Sequence, residues 1–410
     1  MQALKNCLIP VDKFSPVARR NARSLTEEEF FDNFLAPNKA VLIEDATAGW
    51  SACSEWVSSD NAVNVDAVSH SLGPHCECKI IDCTHGASSL HTEESSLSHF
   101  AQQWADRGRR KLYMKDLSAK AAQSMYSTPI FFAEDHLNAY WDALRESACG
   151  SEHEISLNTH HDHRFVYIGT EGTFTPIHHD VLKSFSWSAN VCGEKLWILF
   201  PPGEEEKLHE GSQPLPSVFS CSKISSDLQS SVAKVEGALI CVQEANSAIF
   251  VPSGWHHEVL NLTDCLSINH NWLNLHCNAQ YGFDHLIRQH ESLVSGLPDP
   301  EDKDDIVLHE NLLEKQCQMT LGEMERFVKW ALSNEVQLAR KNNLQSPFER
   351  RKRKIALKHG INLLRETRDA VDLKGCRELA SLNAMNALGF AQETDDEVLR
   401  AAAEALQHLY

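Results

Sequence analysis

Thr175-Pro176-Ile177-His178-His179-Asp180, answered much later by Val251-Pro252-Ser253-Gly254-Trp255-His256-His257, is the pair of stretches on which the reading of this chain turns. Along an extended strand alternate side chains share a face, so His178 and Asp180 point one way and His179 the other. One imidazole and one carboxylate then converge. A histidine delivered by a distant strand completes a 2-His-1-carboxylate set, the donor arrangement that holds non-heme Fe(II) and leaves positions open for chemistry. Alone, a His-x-Asp carries little weight, because histidines and carboxylates are common on surfaces.

The surroundings give it weight. Ala248-Ile249-Phe250-Val251 reads as a buried strand leading into the second stretch, and Leu266 to Trp272 alternates apolar and polar as a half-buried strand does. Gly193 is expected to turn a hairpin between Phe185–Val191 and Glu194–Phe200. Short strands separated by turn signals from 164 to 275 predict a double-sheet jelly roll of the cupin type.

Four motifs then stand together: Thr-Pro-Ile-His-x-Asp at 175–180, Gly-x-Lys-x-Trp-x-Leu-Phe-Pro-Pro at 193–202, Pro-Ser-Gly-Trp-x-His at 252–257, and Asn-Leu-x-x-x-x-Ser-Ile-Asn-His-Asn at 261–271. This set resembles the Jumonji-C family of Fe(II)- and 2-oxoglutarate-dependent oxygenases. The fuller strings Phe185 to Ser188, Asn190 to Gly193 and Ser267 to Trp272 are similar to a branch of that family that hydroxylates a lysine of the translation release factor. The resemblance is densest over 164–275.

It implies an α+β fold: a double-stranded β-helix core at 164–275, N-terminal α/β elements at 1–163 and a C-terminal helical region at 276–410. It implies that His178, Asp180 and His257 bind iron; alternation alone leaves open whether His256 or His257 is the third ligand. It places Lys195 against the far carboxylate of 2-oxoglutarate, with Thr175, Ser188 and Asn269 as neutral donors and Asn261 or Asn271 behind them. Charge agrees, since Fe(II), one aspartate, the dianionic acid and one lysinium sum to zero, as a secluded site prefers. Iron, 2-oxoglutarate and dioxygen would supply a C–H oxidation that no side chain performs, and the protein would supply placement. The implied activity is protein lysyl hydroxylation. The competing readings are a lysine demethylase of the same fold, which accompanying reader or zinc modules would favour, a cupin that binds without catalysis, and an RNA hydroxylase.

Composition limits the partners. At 410 residues, 42% hydrophobic, the chain is long enough for a large domain and a smaller one. Its net charge of −19 argues against general nucleic-acid binding and suits a basic protein substrate. No apolar run reaches the roughly 18 residues of a membrane span, and the opening residues lack the apolar core of a secretory signal. Thirteen scattered cysteines fit reduced thiols, and a cytoplasmic setting is expected.

Elsewhere, Ser24-Leu25-Thr26-Glu27 has capping-box spacing ahead of a helix burying Phe30, Phe31 and Phe34. Lys79–Asp82 and Lys111–Lys115 read as strands, Leu97–Trp104 and Phe131–Leu144 as helices. His75-Cys76-Glu77-Cys78 lacks the usual zinc spacing and reads as strand thiols. His160-His161-Asp162-His163 reads as a solvated cluster, and 201–233 as a surface insertion or a rim to the barrel mouth. Ser295 to Asp302 is a boundary turn. Beyond it, Thr320-Leu321-Gly322-Glu323 and Thr394-Asp395-Asp396-Glu397 open amphipathic helices, and Arg350 to Lys354 reads as a solvated helix face.

Overall fold

The computed structural model describes residues 13–86, 90–148, 161–210, 213–214, 217–218, 234–295, 297, 303–340, 346–374, 376 and 394–409. His160, the 219–233 part of the insertion and most of the 295–302 turn lie outside these. The chain divides into two compact units, neither continuous in sequence. One comprises Met1–Ala133, Arg164–Asp180 and Ser186–Asn271, the other Glu134–His163, Val181–Phe185 and Trp272–Tyr410. No helix among the described residues is long and apolar enough to cross a membrane.

The first unit is built on eight strands: β1 Arg164–Gly169, β2 Phe174–His178, β3 Phe185–Cys192, β4 Lys195–Phe200, β5 Leu239–Gln243, β6 Ser247–Val251, β7 His256–Asn261 and β8 Cys265–Trp272. One sheet runs β6-β3-β8-β1 and the other β5-β4-β7-β2. Apart from the β4–β5 antiparallel pair, consecutive strands lie in opposite sheets. That winding is the double-stranded β-helix expected for a cupin.

The expected Gly193 hairpin is therefore corrected. β3 and β4 belong to different sheets, and the turn carries the chain across the barrel. Gly193 sits at φ +82°, and a Cβ there would lie 2.1 Å from the Asp264 carbonyl oxygen. The local sequence cannot distinguish the two outcomes, because a tight turn joining two apolar runs serves either.

Burial on both faces explains the strand composition. Trp197, Leu199, Ile249, Val251 and Val259 pack between the sheets, whereas Ile198 and Phe200 on alternate positions of β4 pack outside with Leu208, Val218 and Val235. β8 is likewise buried along almost its whole length rather than half-buried. Phe132 stacks on Trp187 of β3 at 5.6 Å and 12°, and Phe30 meets Phe250 of β6 at 5.4 Å. The sheet is thus covered by aromatics on its outer side. At the inner side Gln243 accepts from Trp197 Nε1 at 2.7 Å and donates to the Ser188 and Ser247 carbonyls, so this buried amide is satisfied across the sheets.

Val41–Glu44 and Ala18–Asn21 extend the larger sheet beyond β6, and Leu112–Ser118, Glu77–Asp82 and His91–Ser96 extend it beyond β1. The helix expected here starts at Thr26, whose hydroxyl accepts from Glu29 N while Glu29 accepts from Thr26 N, two residues past the expected cap at Ser24. Both registers satisfy the motif; the chain turns at the second. The expected helix at Phe131–Leu144 is divided into a 3-10 turn, Ile130–Phe132, and a helix, His136–Ala148. Within the insertion, two described residues are held against the barrel. Ser217 Oγ and Val218 N, at 2.8 Å for the latter, donate to the buried carboxylate of Glu258 on β7.

The second unit is helical. Thr320 and Glu323 exchange backbone and side-chain hydrogen bonds at 3.0 and 2.9 Å, and Thr394 and Glu397 do so at 3.3 and 2.7 Å, so both capping boxes form. Met324, Phe327, Val328 and Ala331 are buried along one face of Leu321–Arg340. Two expectations fail here. His161 is buried, stacked on Trp141 at 4.0 Å and 9°, and His163 is buried as well. In the basic run, Lys352 and Arg353 are buried: Arg353 forks onto Glu335 at 2.6 and 2.8 Å and also reaches Glu134, while Lys352 bonds Glu134 at 3.1 Å. Glu335 and Glu134 lie far away in sequence, so a charge run looked solvated although Lys352 and Arg353 within it are buried and paired.

His276 lies against this network, its Nε2 3.4 Å from Glu134. Burial pushes its imidazole down to about 4. For Glu134, burial alone raises the carboxyl, but the charges of His276, Arg353 and Lys352 outweigh it and hold it at about 2.

Two tests follow from this fold. Gly193→Ala forces a side chain into the left-handed region against a carbonyl, and the urea midpoint is expected to fall by the equivalent of about 2 kcal/mol or more. Acid should act on the second unit in steps. Below pH 6.5 the unfolded chain binds a proton that folded His276 refuses until about pH 4, and Glu134 extends the loss towards about pH 2. Equilibrium unfolding is expected to lose about 1–3 kcal/mol between pH 6.5 and 4, with His276→Gln flattening that part of the curve.

Candidate active site

β2 and β7 are antiparallel neighbours, and their register sets His178 directly opposite His257. Side chains so paired stand side by side; the ring centroids are 4.2 Å apart. Asp180 lies just past the end of β2, with Oδ2 3.9 Å from His257 Nε2. One ligand atom from each of His178, Asp180 and His257 lies within 4.8 Å of the others. His256 faces the other way, its ring against His179 at 5.1 Å and its Nδ1 3.8 Å from Glu205. Of the two candidates, His257 is the one that joins the group.

Hydrogen bonds fix the tautomers. His178 Nδ1 donates to the Pro176 carbonyl at 2.8 Å and His257 Nδ1 to the Trp255 carbonyl at 3.4 Å. Each Nε2 therefore presents a lone pair to the shared point. Burial pushes His178 down to about 3, with His257 beside it adding to the push, so the imidazole stays neutral. Burial raises the Asp180 carboxyl, but the two histidines and hydrogen bonds from Ser186 and Asn271 overcome this and keep it below its ordinary value. Two neutral nitrogens and a carboxylate are what a divalent cation requires.

Other groups of similar residues differ in this respect. His136, His276 and Glu335 also gather within 4.8 Å. There His136 Nδ1 accepts from Leu275 N, so Nε2 carries the proton and faces Glu335 at 3.1 Å, and Arg353 occupies both Glu335 oxygens. In the group His161, Glu314 and Glu323, Glu323 is already bonded to Thr320 N.

A cavity opens beside the His178–Asp180–His257 point, between the two sheets, and Lys195, Thr175 and Asn269 line it. Thr175 and His178 would fall on opposite faces under strict alternation. They share one because β2 bulges: from His257 to Val259 β7 advances two residues while β2 advances three, through Pro176, which has no N–H for the ladder. Lys195 is buried, donates to Ser267 Oγ at 2.7 Å, and is pushed down to about 8 by burial. Ser188 does not line the cavity. Its hydroxyl donates to Asn269 Oδ1 at 3.1 Å, which leaves the Asn269 amide hydrogens to face the space. Asn261 bonds Thr173 at 2.8 Å, away from it.

Residues not singled out from the sequence complete the walls: Tyr113, Lys115, Ser186, Trp197 and Val259, with Tyr167, for which the sequence offers both a weaker candidate contact to the co-substrate and, ahead of it, packing within its strand. Trp197 lies along the His257 ring at 5.7 Å and 29°. The available signal was the pair Tyr113 and Lys115, two residues apart and so on one face of a strand otherwise rich in apolar side chains.

Comparison with known proteins agrees with this geometry. Residues 27–276 match the family described as "Cupin-like domain". The chain is 30% identical to the chicken (Gallus gallus) "2-oxoglutarate and iron-dependent oxygenase JMJD4" over 94% of its own length and 89% of the relative's. It is 34% identical to the human protein of that name over 60% of this chain and 58% of the other. It is also 33% identical to the Arabidopsis thaliana "Arginine-specific demethylase JMJ20" over 70% of this chain, an alignment that spans 63% of the plant protein. With a cupin-like domain across most of its first 276 residues and one such relative along nearly its whole length, the chain belongs to the Jumonji-C, cupin-like family of iron- and 2-oxoglutarate-dependent oxygenases.

Proposed function

We propose that this chain hydroxylates a protein side chain, an unmethylated lysine of the translation release factor, in the cytoplasm. The observation that carries the oxygenase part is the convergence of His178, Asp180 and His257 on one point beside a cavity with a buried lysine. Motif resemblance at 175–202 and 251–272 supports the lysine target, and the net charge of −19 suits a basic partner.

In this reading the two Nε2 atoms and the Asp180 carboxylate hold iron, and Ser186 and Asn271 fix the carboxylate's orientation. Lys195 receives the far carboxylate of 2-oxoglutarate. Thr175 and the amide of Asn269 donate along its length, with Ser188 holding that amide in place. Tyr113, Tyr167, Trp197 and Val259 keep bulk water off the reacting point. Bound iron and 2-oxoglutarate supply, with dioxygen, an oxidation strong enough for an unactivated C–H bond, giving succinate and carbon dioxide.

The name of the Arabidopsis relative favours a second reading, oxidation of an N-methyl group on an arginine. The two readings differ in product. Incubated with Fe(II), 2-oxoglutarate and release factor, the protein is expected to release succinate and add the mass of one oxygen to one lysine. Formaldehyde from methylated arginine peptides, with no oxygen retained, would replace the hydroxylase reading with the second. Asp180→Ala is expected to leave the unfolding midpoint nearly unchanged while lowering Fe(II) affinity by more than the roughly 10–100-fold typical of outer-shell losses, with turnover abolished. Full turnover in that variant would refute the iron assignment.

A further inference from the structure

The cavity holds a second lysine that the charge balance of the site does not require. Lys115 lies on the strand Leu112–Ser118, and its Nζ is 3.2 Å from Thr175 Oγ1. It runs beside the Tyr113 and Tyr167 rings, 5.3 and 5.7 Å from their centroids, and lines the same space as Lys195. Two residues on from Tyr113, it shares that side chain's face, and the backbone is irregular just past it. Between Met114 and Leu117 this strand gains one residue on β1, and Asp116 within the bulge takes φ +57°. Bulges beside sites re-aim side chains, and a non-glycine residue held left-handed marks a conformation that the surroundings impose. Asp116 is held in turn by Lys79 Nζ at 3.2 Å.

Iron, Asp180, Lys195 and a dianion sum to zero, so Lys115 brings further positive charge to the cavity, offset in part by the Asp116 carboxylate next to it. Two ammonium groups facing one cavity repel each other, and burial pushes both below their ordinary range. A carboxylate placed between them relieves both penalties. Thr175, the donor nearest Lys115, stands where the co-substrate is expected.

We propose that Lys115 is a second cationic contact for the far carboxylate of 2-oxoglutarate, shared with Lys195 and bridged by Thr175. This rests on the reading of the cavity as a 2-oxoglutarate site. It makes the site selective for dicarboxylates beyond what one lysine provides. Succinate, which keeps that carboxylate, is then retained as well, so product inhibition is built into the same contact.

The test is a pair of titrations on the Fe(II)-loaded protein under argon, read by the charge-transfer absorbance of the bound 2-oxo acid. One uses 2-oxoglutarate and the other 2-oxopentanoate, which lacks the far carboxylate. Lys115→Met is expected to weaken 2-oxoglutarate about ten-fold or more and to leave 2-oxopentanoate within about two-fold. Lys115→Arg is expected to keep most of the affinity, and the succinate inhibition constant should rise with the loss in Lys115→Met. Equal weakening of both acids, or none of either, in variants with unchanged unfolding midpoints overturns the role of Lys115. Lys115→Arg carries the same comparison if the methionine variant does not fold: failure of arginine to bind 2-oxoglutarate in preference to 2-oxopentanoate counts against the proposal. Absence of 2-oxoglutarate binding by the unaltered protein overturns the oxygenase reading itself.

Discussion

The register between β2 and β7 is the constraint on which the site depends. Sliding those strands by one residue would turn every side chain to the other face, sending His257 outward and bringing His256 in. Apolar residues lock the register from both sides. On β4, which pairs with β7 along its other edge, Trp197 and Leu199 point between the sheets and Ile198 and Phe200 point out beneath Leu208 and Val218. Each face would lose its packing in any other alignment, so the energy that holds two imidazoles side by side is mostly hydrophobic burial elsewhere on the same strands.

Irregularities placed on that regular frame do the aiming. An added residue near Pro176 lets Thr175 and His178 look the same way, and a second added residue sits at Asp116, next to Lys115. The carbonyls of Pro176 and Trp255 then hold the imidazole protons away from the centre. Rings, carboxylate and amides are thereby oriented before any ligand arrives, which lowers the reorganisation that binding would otherwise require.

Much of this was readable in the sequence. Short apolar runs gave the jelly roll, and the motifs around His178, Lys195 and His257 gave the residues that converge. What stayed hidden depends on partners far along the chain. A bulge is a property of two strands in register, so Thr175 and His178 as a same-face pair do not follow from one segment. Gly193 turns tightly in a hairpin or across a barrel, and only the ladder partners of β3 and β4 decide which. Arg353 looked solvated because Glu335 and Glu134, which neutralise it, come from other helices and loops. At Ser24 and Thr26 two overlapping caps were chemically equivalent, and the place where the chain bends chose between them.

Glu258 carries a consequence of another kind. It follows His257 immediately on β7, faces the outer side, and has its oxygens met by Ser217 and Val218 from the insertion. A buried carboxylate stripped of such donors is costly. Transplanting a different outer segment onto this barrel would therefore demand either a fresh pair of donors or an apolar replacement at 258. In the history of such a protein, the outer segment and the strand beneath it are free to change only together.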